Sequence, residues 1–174
     1  MKFFYLPLII VLICICSCKK DEIAKNEDDL NNSYRVWLSY KNSIHNSYSY
    51  TQYYGSVFGF GTEIKIAVKD GKFISRDLTL TRYHADDTNK KDTLKRWHED
   101  VSSINTHGAE ARDLLTIDDV YDQSRKVWLK ADVKKNTVIF EANNNGLISS
   151  CGFIPNGCQD DCFNGIKITS IIPL

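Results

Sequence analysis

Apolar residues follow three kinds of pattern along the chain. From Phe3 to Cys16 they form a nearly unbroken run behind Lys2. The run is shorter than the roughly 20 residues a membrane-spanning helix needs, so it reads as the apolar core of an export signal. From Leu30 the spacing becomes helical: Leu30, Tyr34, Trp37, Leu38 and Ile44 fall on one face. Asp28 and Asp29 sit where a helix dipole favours acids, and Asn46 marks the expected end. Residues 19–27 are polar and are expected to form a short tether. Beyond Asn46 the period falls to two. Tyr48, Tyr50, Gln52 and Tyr54 alternate with Ser47, Ser49, Thr51 and Tyr53, which predicts a strand.

A glycine-rich aromatic loop, residues 55–61, breaks that strand. Ile64, Ile66 and Val68 then alternate with Glu63, Lys65 and Lys69 up to Asp70-Gly71, the dipeptide that type I′ hairpin turns prefer. The return strand runs from Lys72 to about Tyr83, with a bulge expected near Arg76-Asp77 where its parity slips. Residues 84–93 read as a polar loop, 94–101 as a strand and 102–115 as irregular. Thr116 reads as the N-cap of a second helix carrying the stripe Ile117, Val120, Tyr121, Ser124, Trp128 and Ala131. A second hairpin pairs residues 137–142 with 147–154 around Asn145-Gly146, and Ile166 to Ile172 is the last strand. Hairpins pair antiparallel, and no strand–helix–strand spacing dominates. The fold class expected is α+β: one antiparallel sheet of about five to six strands with two main helices packed on one face.

Three cysteines alternate at the end of the export signal. Ile13 and Ile15, before Cys14 and Cys16, are bulky; Ser17, before Cys18, is small. The stretch Ile15-Cys16-Ser17-Cys18 therefore resembles a bacterial lipobox, with cleavage after residue 17 and a lipid on Cys18. Several acyl chains at one cysteine exceed the two signals that stable anchoring takes. The following Lys19-Lys20-Asp21-Glu22 resembles the lysine-plus-acidic segment of Bacteroidota-type surface lipoproteins. The expected organisation is a cleaved signal over 1–17, a lipidated N-terminus and tether over 18–27, and a single domain over 28–174. The expected address is the outer membrane, with the domain facing the periplasm or the cell surface.

Charge narrows the partners. Without the signal and its Lys2, 21 basic residues stand against 22 acidic ones, a net charge of about −1. Nucleic-acid binding and a polybasic membrane patch both need a basic surplus that this chain lacks. A domain of about 150 residues buries roughly 70% of its unfolded surface, so it needs no metal or disulfide to fold, and no cofactor is expected.

Several fragments together resemble the family called domain of unknown function 6174. They are Trp37, Asn46-Ser47-Tyr48-Ser49-Tyr50, Val68-Lys69-Asp70-Gly71-Lys72 and Thr116-Ile117-Asp118-Asp119-Val120-Tyr121. Gly146-Leu147-Ile148 and Asp160-Asp161 before Gly165-Ile166-Lys167-Ile168 complete the set. They spread over residues 34–172. The longer segment at 84–115 and the three late cysteines depart from the simpler members. The resemblance implies a small exported or lipidated bacterial domain and no assigned activity.

Candidate chemistry is sparse. Cys151, Cys158 and Cys162 are the late thiols. In an exported chain a disulfide among them is the expectation, and three leave one over. Cys151 could face Cys162, or Cys158 could close onto Cys162, and the pairing stays open. Asp160-Asp161 lacks the alternating acids of a calcium loop and reads as a solvated turn. His45, His84, His98 and His107 match no metal or hydrolase spacing, and no metal is expected. In His98-Glu99-Asp100, successive side chains point different ways. The aromatics Tyr53, Tyr54, Phe58 and Phe60 are the candidate ligand-binding residues, since rings can stack on sugars or grip a peptide. The reading favoured is a membrane-anchored binding module for a protein, peptide or glycan, not an enzyme. The alternatives are an enzyme whose site is assembled from distant residues, or a purely structural envelope protein. A pocket joining His84 or His98 to carboxylates would point to chemistry.

Overall fold

The computed structural model describes residues 17–87, 89–108 and 110–174, with side chains from residue 24 onward. The expected export signal lies, except for Ser17, outside the described residues, as does the side chain of Cys18. Among the described residues no helix is long and apolar enough to cross a membrane.

Helix α1 spans Ser17–Ser43. It starts well before Asp28, so residues 19–27 are helical. Lys19, Lys20, Glu22, Ala24, Lys25 and Glu27 are good helix formers. Its buried stripe is Leu30, Ser33 and Trp37, while Leu38 is exposed. The chain leaves the helix through His45 and Asn46, both at positive φ, a conformation Asn tolerates at a helix end.

Seven strands follow among the described residues, not five to six. They are β1 (Tyr48–Gly55), β2 (Phe60–Lys69), β3 (Lys72–Tyr83), β4 (Lys91–Asp100), β5 (Asn136–Glu141), β6 (Ser150–Pro155) and β7 (Asn164–Pro173). Their order across the single antiparallel sheet is β4-β3-β2-β1-β7-β6-β5. The last strand is therefore inserted beside the first. Asp70-Gly71 and Asn145-Gly146 carry positive φ at both positions, as type I′ turns demand. The bulge of β3 lies before Arg76, at Ile74, which has no partner between Phe73 and Ser75. The parity slips because Arg76, a charged residue, points inward.

Helix α2 (Ile117–Lys126) has Thr116 as N-cap in a capping box with Asp119. It stops at Lys126, short of the expected stripe, and a 3-10 turn at Trp128–Lys130 carries Leu129 into the core. Both helices lie on one face of the sheet. Trp37 and Lys41 of α1 bond Asp118 at 3.1 and 2.8 Å, and Ser33 bonds Tyr121 at 2.7 Å. Tyr48 accepts from the backbone N–H of Ile117 at 3.0 Å, tying α2 to the sheet. The core between the layers holds Trp37, Tyr48, Tyr50, Ile66, Val120 and Ile148.

The helices do not cover β3 and β4. There residues 101–108 and 110–116 fold over the same face and are stapled around a buried ion pair. Arg76 and Glu99 face each other across β3 and β4, their side chains fully buried, with Nε–Oε2 2.9 Å and Nη2–Oε1 3.1 Å. Glu99 also accepts the backbone N–H groups of Asn105 at 2.8 Å and His107 at 2.6 Å. The His107 ring stacks on Trp97 at 4.6 Å.

Candidate functional site

Between the two covers a strip of the core-side sheet stays open. One wall is the end of the stapled segment, Arg112, Asp113 and Leu115. The other is Val127 and Trp128, just beyond α2. Gln52 and Tyr54 of β1, Phe153 of β6 and Gly165 and Ile166 of β7 form the floor, with Asn164 at the rim; the cleft encloses ≈ 320 Å³. That volume lies at the lower end of the 300–1,000 Å³ of typical small-ligand sites.

The floor is a fixed hydrogen-bonded chain. Tyr54 donates to Gln52 Oε1 at 2.8 Å, Gln52 Nε2 donates to the Tyr50 hydroxyl at 3.2 Å, and Tyr50 donates to the Leu115 carbonyl. Gln52 is almost fully buried yet has partners for both ends of its amide, as a buried polar group requires. Burial pushes the Tyr50 hydroxyl upward, beyond any physiological titration. Burial also pushes the Tyr54 hydroxyl up to about 12; Arg112 pulls it down and Asp113 adds to the rise. The Arg112 guanidinium lies 4.0 Å from the centre of the Tyr54 ring. Its backbone carbonyl accepts from Arg76 Nη1 at 3.4 Å, which links the wall to the buried staple.

The four candidate aromatics do not form one surface. Tyr54 faces the cleft. Tyr53 points to the opposite, open face of the sheet, beside Tyr83. Phe58 stands at the tip of the β1–β2 hairpin, 73% exposed. Phe60 lies under the Arg82 guanidinium at 5.6 Å. Arg112, Trp128 and Phe153 were not singled out from sequence as cleft residues; no local motif marks them, and only the tertiary fold brings them to Tyr54.

Cys158 and Cys162 form a disulfide within one loop, Cα–Cα 6.3 Å. Cys151 takes no part in it. Its side chain is buried, and burial pushes its thiol up to about 12 against a hydrogen bond with Ser124. The β6–β7 register explains why Cys151 and Cys162 do not meet: Cys151 pairs with Ile166 and faces the core. In the disulfide loop, Asp161 accepts the backbone N–H of Val57 at 3.0 Å and so braces the hairpin tip.

Histidines do meet carboxylates. His98 Nδ1 is 2.7 Å from Asp77 on the open face, and that hydrogen bond raises its pKa. Glu99, next in sequence, is buried on the other face, so the two do not act together. His84 Nε2 is 3.1 Å from Asp92 in a wider hollow of ≈ 560 Å³ lined also by Val57, Phe58 and Arg82. Asp92 is 68% exposed there, and among the described residues no serine, threonine or cysteine bonds either imidazole. Among the described residues no three metal-ligating side chains gather.

No protein-family model, curated protein or solved structure matches the chain. The resemblance to domain of unknown function 6174 thus rests on its sequence fragments alone.

Proposed function

We propose that the chain is a lipoprotein of the bacterial outer membrane, held by acyl chains on Cys18, and that its folded domain is a binding module with the cleft as its ligand site. The observation that carries the reading is the open strip over Tyr54. An antiparallel sheet with one covered face ordinarily buries that face throughout. Here two separate covers stop short of each other, and the gap is walled by Arg112 and Trp128 and floored by Gln52, whose amide is bonded at both ends. Rigid support of this kind is what a preorganised site requires. The resemblance to domain of unknown function 6174 adds no activity to this reading.

Val127→Trp tests it. Val127 is 49% exposed at the cleft wall, so a larger ring fills the gap without disturbing the core. Ligand-observed NMR of a bacterial envelope extract is expected to show saturation transfer from the wild-type chain and none from the variant. Equal signals from both, or none from either, would sink the assignment of the cleft.

A further inference from the structure

The cleft's lining restricts what it can hold, and this step rests on its being a ligand site. Three aromatic side chains border it: Tyr54 and Phe153 from the floor and Trp128 from the wall. Rings bind flat apolar faces well but say nothing of the polar edge. Arg112 and Asp113 supply that edge. They are consecutive, both exposed at the mouth, and of opposite charge, yet no ion pair joins either of them to another side chain among the described residues. The Arg112 guanidinium sits over the Tyr54 ring at 4.0 Å, and among the described residues its N–H groups have no protein acceptor. Asp113 can only accept when ionised. Asn164 uses its NH₂ on the Cys162 carbonyl at 2.9 Å and has no protein partner for its amide oxygen among the described residues.

The mouth therefore offers planar donors and planar acceptors side by side, with no net charge, above aromatic surface. An anion would meet Asp113 as well as Arg112, and a cation would meet the reverse. A purely apolar ligand would strip water from both groups without replacing their hydrogen bonds, which is costly. A neutral ring with one C–H face and adjacent hydroxyls satisfies all of them at once: its hydroxyls accept from Arg112 and donate to Asp113 and Asn164. The volume, ≈ 320 Å³, admits one or two such rings and not a folded partner. We infer that the cleft binds a neutral pyranose, free or at the end of a glycan, through the Arg112–Asp113 pair.

The test uses the full chain in a sugar-free detergent. The probes are the methyl β-pyranosides of glucose, galactose and mannose, with glucuronate as the anionic arm and indole as the ring-only arm. Binding is read by tryptophan fluorescence and by saturation-transfer NMR. At least one neutral pyranoside is expected to bind saturably and more tightly than glucuronate. Arg112→Gln and Asp113→Asn are expected to weaken it at least tenfold, while circular dichroism and melting temperature stay unchanged. Three results would overturn the inference: tighter binding of glucuronate, binding indifferent to both variants, or binding of indole with no pyranoside bound. The last leaves the cleft a binding site and removes only its sugar. Silence from every probe likewise overturns the sugar and leaves the cleft's assignment as a ligand site to the Val127→Trp experiment.

Discussion

Burial alone would raise the Glu99 carboxyl. The Arg76 guanidinium and the backbone N–H groups of His107 and Asn105 outweigh that and hold it at about 2. A carboxyl held below its ordinary 4.5 stabilises the fold above that value, and the contribution is lost as pH falls from about 4.5 towards about 2. Denaturant unfolding followed across that window is expected to show declining stability in the wild type and a flatter course in Glu99→Gln. At neutral pH that variant should cost about 3–5 kcal/mol, since it strands Arg76 as a buried unpaired charge; a cost under about 1 kcal/mol would refute the staple. Buried ion pairs can often be exchanged for apolar side chains with little loss. This one cannot, because Glu99 also holds two backbone donors of the covering segment. Arg76→Leu/Glu99→Leu leaves both without a partner, at about 1–3 kcal/mol each. Hydrogen exchange at the Asn105 and His107 amides should accelerate in it, and unchanged protection would count against this account. Cys151, with its thiol pushed up to about 12 inside the core, is expected to resist alkylation in the native protein and to react once the chain is unfolded. Labelling followed by mass spectrometry decides it.

Helix α2 is an element whose start was readable from sequence in atomic terms. Thr116 Oγ1 accepts from the Asp119 N–H at 3.1 Å, and Asp119 Oδ2 accepts from the Thr116 N–H at 2.9 Å. Thr116→Ala is expected to lower stability by about 1 kcal/mol, measured by urea unfolding. The loss bears on the cleft too, since Leu115 and Trp128 flank this helix at its two ends. The turns at Asp70-Gly71 and Asn145-Gly146 were equally legible, because their chemistry is local. What was not legible depended on distant partners. Arg76 and Glu99 look like surface residues in any pattern that assigns charge to solvent, so the β3 bulge was expected two residues late. That β7 would lie between β1 and β6 follows from no local signal. Nor does the facing pair Gly152 and Gly165, where a Cβ on Gly165 would overlap the Cys151 carbonyl and one on Gly152 the Phe163 ring. Of the residues lining the cleft, Tyr54 is the one the aromatic pattern singles out; the others come from Gln52 beside it and from four further segments.

At the scale of the whole molecule the proposal separates attachment from fold. The core-forming residues of α1 begin at Leu30, more than three helical turns beyond Cys18, and among the described side chains of α1 the first bonded to the rest of the domain is Glu27, to Lys130 at 2.6 Å. A change at Cys18 should therefore leave the domain's packing as it is. The chain without its signal carries a net charge of about −1, which gives little overall attraction to anionic lipid. Two outcomes follow from one fractionation. The wild-type chain should remain with the membrane in high salt, which screens electrostatic contacts, and leave it only in detergent. Cys18→Ala should lose the acyl chains, leave the sedimenting membranes, and unfold at the melting temperature of a delipidated wild-type control, provided the signal is still processed. N-terminal sequencing of the released chain checks that proviso. A processed Cys18→Ala chain that stayed with the membrane in high salt would mean that the folded domain itself grips the bilayer, and the anchor would have to be sought in the exposed Val57-Phe58 tip instead.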